Sequence, residues 1–320
     1  MRSLGVALVI GVSGALTASA SDSNVGTWDA TKSRFSFELT SVTGHLDALV
    51  GTDSRGRFVN HRLSHVTYKP TSTLVSPTYG PCGAGLFSLF QVRSRDAALM
   101  QPRETRPDEV EPIDNGVRFV WHASATHRAQ LELEYKFSFP NVIEMQFTVR
   151  AEADYRDYEV LVALYAPAKS KPGLYVVDRK KSVEQIGFAD HEALHGLYTF
   201  FPRDERAVRV LSDGRGGRKY GWQVGFGRRY ARPLVFRSVG DVDLVMMGPA
   251  ADVQAVGVTY EGDHDGVARH DSAYLSYFGH DLHKGELLMS RARLVIDAFR
   301  QSQKGHLQLY RAFSEKEGSR

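Results

Sequence analysis

Apolar residues recur at every second position through most of this chain. In Arg34-Phe35-Ser36-Phe37-Glu38-Leu39 the side chains of Phe35, Phe37 and Leu39 fall on one side, and 117–121 and 131–137 repeat the pattern. A period of two is the spacing of strands with one buried face. The same alternation runs through 142–149, 158–164, 207–211, 222–226, 234–236, 242–247, 253–260, 273–278 and 287–296. About fourteen such strands, with no helical stretch between them, argue against an alternating strand–helix fold. They predict an all-β protein built from two large antiparallel sheets packed face to face.

Turn formers punctuate the alternation where such a sandwich needs them. Phe139-Pro140-Asn141 reads as a hairpin connection, and 169–173, 213–217 and 262–266 read as loops. The tail differs, because 306–316 lacks breakers and predicts a short helix that docks Leu307, Tyr310 and Phe313 on a sheet. There is neither a Pro- or Gly-rich linker nor an internal repeat, so 21–296 reads as one domain followed by the tail 297–320.

The first twenty residues do not fit that domain. Arg2 supplies one positive charge, the apolar stretch 4–10 follows, and Ala18-Ser19-Ala20 closes the segment with small residues before the polar run 21–24. This is the order of a secretory signal peptide. The segment is shorter and more diluted with Gly, Ser and Thr than a membrane helix of about 20 apolar residues. The expectation is export to the periplasm or the exterior, cleavage after Ala20, and no stable membrane insertion afterwards.

Composition narrows the class further. Of 320 residues, 42% are apolar and 24% charged, which excludes a disordered chain. One cysteine, Cys82, excludes an internal disulfide framework and a multi-thiolate metal site, so stability must come from core burial. A net charge of +3 does not call for nucleic acid as a partner, and nothing in the chain calls for a cofactor. The distribution of charge says more than the total. Ten Lys or Arg lie in 203–237 against three acids, and 241–265 holds six acids with no Lys or Arg. Two readings stand: salt bridges between neighbouring strands, or a basic surface for an acidic glycan with Arg228 among its guanidinium forks and Trp222 or Tyr230 as a stacking platform.

Two stretches carry a family resemblance. The first is Leu131-Glu132-Leu133-Glu134-Tyr135 through Phe139-Pro140-Asn141 to Phe147, followed by 158–165. The second is Ala273-Tyr274-Leu275-Ser276-Tyr277-Phe278-Gly279, then Lys284-Gly285-Glu286 and the strand ending Arg293-Leu294-Val295-Ile296. Both resemble the galactose mutarotase-like β-supersandwich, a fold of sugar epimerases and of domains in polysaccharide lyases and glycosidases. The resemblance implies a carbohydrate partner. It does not imply mutarotation: where those enzymes carry an Asn-His-x-Tyr-Phe motif, this chain reads Ala163-Leu164-Tyr165-Ala166-Pro167, and 273–278 lacks their basic Glu.

On that fold Tyr165 is expected near the centre of the ligand face, with His195 as the second acid–base candidate. Tyr79, His191, Tyr198 and His280 are expected from surrounding loops as sugar contacts, beside Trp222 and Arg228. His191-Glu192-Ala193-Leu194-His195 matches a zinc-binding helix letter for letter, yet Gly196 and Phe200-Phe201-Pro202 leave no room for that helix. A sugar-facing or solvated loop therefore suits it better than a metal site. No His adjoins Cys82, which argues against a thiolate nucleophile. Asp263-His264-Asp265-Gly266 lacks the bidentate Glu of a calcium loop and reads as a hairpin turn. Three functions remain in view: a binding protein for a glycan, an acidic one included; a lyase or epimerase-like enzyme using Tyr or His; and a structural envelope protein without a ligand.

Overall fold

The computed structural model describes residues 25–53, 56–77, 85–95, 97–168, 170–177, 183–187, 198–215, 222–224, 228–258, 270–300 and 302–315. The N-terminal strands are β1 (Gly26–Asp29), β2 (Arg34–Glu38), β3 (Val42–Thr52), β4 (Phe58–Tyr68) and β5 (Thr73–Leu74). Next come β6 (Phe87–Ser94), β7 (Ala97–Met100), β8 (Glu109–Ile113), β9 (Gly116–Trp121), β10 (Ala129–Ser138), β11 (Val142–Ala151) and β12 (Tyr155–Pro167). Then follow β13 (Lys171–Val177), β14 (Val183–Gly187), β15 (Tyr198–Pro202), helix α1 (Glu205–Leu211) and β16 (Trp222–Val224). The chain closes with β17 (Arg229–Val239), β18 (Val242–Met247), β19 (Val253–Val258), β20 (His270–Leu282), β21 (Leu287–Asp297) and α2 (Gln303–Glu315).

These strands form three sheets. Strands β1 to β5 make a five-stranded sheet in chain order. A nine-stranded sheet runs β14-β13-β17-β18-β21-β11-β10-β9-β8, and a seven-stranded sheet runs β16-β15-β19-β20-β12-β6-β7. The expected antiparallel all-β sandwich is present, with a third sheet added because β3 and β4 extend the N-terminal hairpin. One pair departs from antiparallel order: β15 and β16 run parallel at the edge of the seven-stranded sheet.

Burial follows the two-residue period. Along β10, Leu131, Leu133, Tyr135 and Phe137 are buried while Glu132, Glu134 and Lys136 face out, and β11 matches it from Ala129↔Ala151 to Ser138↔Val142. The main core collects the inner faces of all three sheets; Phe37 of β2 stacks on Phe137 of β10 with ring centroids 4.4 Å apart. Strand β12 lies inside its sheet and is buried on both sides, so 158–166 reads as an apolar run broken only by Glu159. Tyr158, Val160, Val162 and Leu164 point into the main core, and Leu161, Ala163 and Tyr165 into a second cluster on the far side.

Two sequence expectations are corrected. The segment 207–211, read as a strand, is helix α1. Its buried residues Ala207, Val210 and Leu211 follow i, i+3, i+4, and the Asp204 side chain accepts from the Ala207 amide at 2.9 Å as an N-cap. His280, read as a loop residue, lies within β20, which runs on to Leu282 before Gly285, at φ +88°, turns the chain into β21. The tail forms α2, which buries His306, Tyr310 and Phe313 against the nine-stranded sheet. Among the described residues no helix is long and apolar enough to cross a membrane.

Candidate functional site

The far side of β12 gathers the chemistry. Tyr165, Tyr274 of β20, Phe200 of β15 and Phe90 of β6 form one aromatic cluster on three strands and a neighbour. Tyr165 meets its neighbours edge to face, crossing Tyr274 at 88° with centroids 6.3 Å apart and Phe90 at 90° and 6.4 Å, while Tyr274 is tilted against Phe90 and Phe200. Tyr165 is only 2% exposed, and Phe90 beside it is half-buried.

Arg103 closes that edge. Its guanidinium lies 4.5 Å from the Phe90 ring centroid and 5.2 Å from that of Tyr165, and its Nη1 donates to the Tyr165 hydroxyl at 2.7 Å. It comes from a single 3-10 turn, Pro102–Glu104, which two neighbouring elements hold in place. Asn60 of β4 donates through Nδ2 to the carbonyls of Pro102 and Thr105, each at 2.9 Å, and Trp121 Nε1 donates to the Thr105 carbonyl at 2.9 Å. Glu104 pairs with Arg57 at 2.8 Å and with Arg103 at 3.2 Å. Beneath the turn His61, at φ +35°, is wholly buried, and burial with the charge of Arg103 pushes its imidazole down to about 3. Partners on both flanking residues thus hold this cation in one place, with the Glu104 carboxylate on one side of its guanidinium and the Tyr165 hydroxyl on the other.

The other end of the same strand face is acidic. Glu159 is fully buried; its Oε1 accepts from Ser276 Oγ at 2.5 Å and from Gln254 Nε2 at 3.3 Å, and its Oε2 faces Arg215 Nη1 at 3.6 Å. Gln254 also donates to Ser276 at 2.9 Å. Gly279, at φ +64°, makes room for that amide, since a Cβ there would stand 1.7 Å from Gln254 Oε1. Across the strand Glu159 is in register with Arg93, whose Nε donates to Gln91 at 2.8 Å. Behind Tyr165, Arg237 of the nine-stranded sheet pairs with Asp271 of the seven-stranded one at 2.7 Å, both buried.

The sequence-derived candidates are distributed as follows. Tyr165 lies on the far face of β12 in contact with Arg103. Tyr198 and Trp222 are in register on β15 and β16, in the same sheet, three and four strands from β12. His280 is half-buried, with its ring at 5.9 Å from Phe278 and its Nδ1 2.9 Å from the Asp281 carbonyl. Arg228 is exposed ahead of β17. Tyr79, Cys82, His191, His195 and the 263–266 turn lie outside the described residues. Among the described residues no group of three His, Cys, Asp or Glu stands together as a metal site.

Of the basic stretch, Arg203 bonds Asp204 and the Ala251 carbonyl, Arg229 pairs with Glu205, and Arg237 with Asp271. No acidic side chain among these partners belongs to the described part of the acidic stretch, where Asp243 meets Ser238 and His306, and Asp252 meets Ser290. Arg103, Phe90, Tyr274 and Glu159 were not found from the sequence. Only Glu159 left a signal there, as a lone acid inside the apolar run of β12.

No family model matches the chain, and no curated protein matches it. Solved structures do. The chain is similar in fold to a GalM/aldose epimerase homologue from C. elegans, with 9% identity and a TM-score of 0.42 over 81% of this chain and 96% of that one. It is similar to a heparan sulfate lyase from Pedobacter heparinus at 9% identity and TM-score 0.47, covering 87% of this chain and 37% of the lyase. A third likeness is to the galactosidase domain of an alpha-galactosidase-sucrose kinase, at 10% identity and TM-score 0.43 over 85% of this chain. This chain spans 42% of that structure, so it corresponds to less than half of it. Likenesses at this level concern architecture and say nothing of the site.

Proposed function

We propose that this is an exported protein that binds an acidic glycan on the far face of the seven-stranded sheet. The observation that carries the reading is the contact of Arg103 with both Tyr165 and Phe90. A guanidinium fork takes a carboxylate or sulfate in bidentate fashion, an aromatic edge takes the apolar face of a sugar ring, and a phenol supplies a protic group beside them. Export rests on the charge, apolar core and small-residue exit of 1–20. His195, Tyr79, His191, Tyr198, Trp222, Arg228 and His280 remain candidate contacts around that centre.

The same contact supports a second reading, in which the bound glycan is processed with Tyr165 in proton transfer, because a Tyr and an Arg within hydrogen-bond distance is the minimum such chemistry needs. The experiment is incubation of the secreted chain with uronate-containing and sulfated polysaccharides, following both retention on each polymer and ultraviolet absorbance of unsaturated products. Retention without absorbance supports the binding protein; absorbance that disappears in Tyr165→Phe supports the enzyme. Absence of both on every polymer refutes the carbohydrate reading. Recovery of the chain in the cell interior with Met1 retained refutes export.

A further inference from the structure

A cleft lies at the opposite end of β12. Where α1 meets the start of β12 and the end of β6, Arg95, Asp157, Arg206, Arg209, Val210 and Asp213 line a cleft of about 180 Å3. Helix α1 turns Ala207, Val210 and Leu211 toward the sheet, which leaves Arg206 and Arg209, three residues apart, exposed on one side of it. Both acids in the cleft already have cations. Asp213 accepts from Arg215 through Nε at 3.0 Å and Nη2 at 2.6 Å, and Asp157 pairs with Arg95. Arg215 is itself buried, spanning the Asp157 carbonyl at 2.6 Å and Glu159. Among the described residues Arg206 and Arg209 make no side-chain hydrogen bond or ion pair, and with Arg95 they set three cations in the cleft lining against the two acids Asp157 and Asp213.

Two like charges three residues apart on a helix repel. Guanidinium forks that converge on a cleft with its acids already neutralised are complementary to an oxyanion, which each can hold by parallel N–H···O bonds. The volume sets the size of the guest. At about 180 Å3 the cleft has room for a small anion with part of its hydration. We propose that this cleft binds a single sulfate- or phosphate-class oxyanion between Arg206, Arg209 and Arg95. The site stands on its own: at about 3.3 Å per strand residue, Asp157 lies about 25 Å along β12 from Tyr165. The anion is either free in solution or a substituent on a larger molecule, and the chemistry of recognition is shared.

The test uses the full secreted chain and an Arg206→Gln/Arg209→Gln variant, both positions being exposed. Sodium sulfate and sodium phosphate are titrated by calorimetry and thermal unfolding against sodium chloride at matched ionic strength. Sulfate also stabilises proteins generally by exclusion from their surface, an effect both chains share, so the difference between them is the readout. The expected result is saturable binding of sulfate or phosphate by the natural chain and affinity about tenfold or more weaker in the variant, with the unfolding midpoint in chloride equal or slightly higher once the repulsion is gone. A response no different from chloride, or one the double substitution leaves intact, overturns the proposal. A sulfated monosaccharide forms the second arm: tighter binding than inorganic sulfate, lost in the same variant, assigns the site to a substituent, and equal binding assigns it to the free anion.

Discussion

The Tyr165 hydroxyl accepts from Arg103, which directs the phenol proton away from the guanidinium and leaves it to donate elsewhere. Tyr165→Phe removes one charge-assisted hydrogen bond and keeps the ring that packs on Phe90 and Tyr274, at a cost of about 1–2 kcal/mol in a urea unfolding series. A loss well above that would assign the hydroxyl a larger structural share than the geometry gives it. Gly279 makes a sharper case at the acidic end of the face. In Gly279→Ala both the φ of +64° and the collision with Gln254 act together, displacing the amide that serves Glu159 and Ser276. The expected destabilisation is about 2 kcal/mol or more, and a neutral result would contradict the described packing. Glu159 and Arg103 mark what sequence cannot tell about a site. Each is chosen by neighbours far away in the chain: Arg103 by Asn60 and Trp121, Glu159 by Gln254 and Ser276.

Elements show where periodicity suffices and where it fails. Strands such as β10 and β11 were legible because one face is buried and the other wet, so polarity alternates with the pleat. In α1 the residues Ala207, Val208, Val210 and Leu211 fit a short strand and one helical stripe alike, and the signal that decides is Asp204 ahead of them. Asp204→Ala should destabilise the helix by about 1 kcal/mol and weaken anion binding at Arg206 and Arg209, read by calorimetry with sulfate. Helix α2 is fixed by a different device. His306 on its first turns meets Asp243 Oδ2 at 2.9 Å and the Tyr175 hydroxyl at 2.8 Å, and Ser238 donates to the other oxygen of Asp243 at 2.5 Å. The helix was legible from 306–316, but the buried polar chain that seats it was not, since its members lie on β13, β17 and β18.

At the scale of the molecule, an all-β chain of this length with one cysteine rests on a shared core, and a few buried polar groups tie its sheets together. The Arg237–Asp271 pair joins the nine- and seven-stranded sheets, and removing one partner leaves a buried charge, an expected loss of about 3–5 kcal/mol. The core also sets acid lability. Burial holds His61 at about 3 and His127 at about 4, below the ordinary 6.5. As pH falls below 6.5 the unfolded chain takes up protons on both that the folded chain refuses. Stability therefore declines with falling pH, by about 1 kcal/mol per unit for each histidine, down to their folded values, and is flat above about pH 7. Unfolding midpoints between about pH 5 and about pH 7.5 measure this, and His127→Gln should flatten the slope. The fold class was legible end to end because its signal repeats in every strand. The ligand face was legible only at Tyr165, because a face is assembled across strands and its other members follow no local pattern.

The central claim is that the Phe90–Arg103–Tyr165 edge holds an acidic glycan. Titration calorimetry of the natural chain and Arg103→Ala against matched acidic and neutral oligosaccharides tests it most directly. Acidic oligosaccharides should bind the natural chain, neutral ones should bind far more weakly, and Arg103→Ala should lose about tenfold or more of the acidic affinity. Equal affinity for neutral and acidic ligands, or an Arg103→Ala chain that binds as the natural one does, would contradict it.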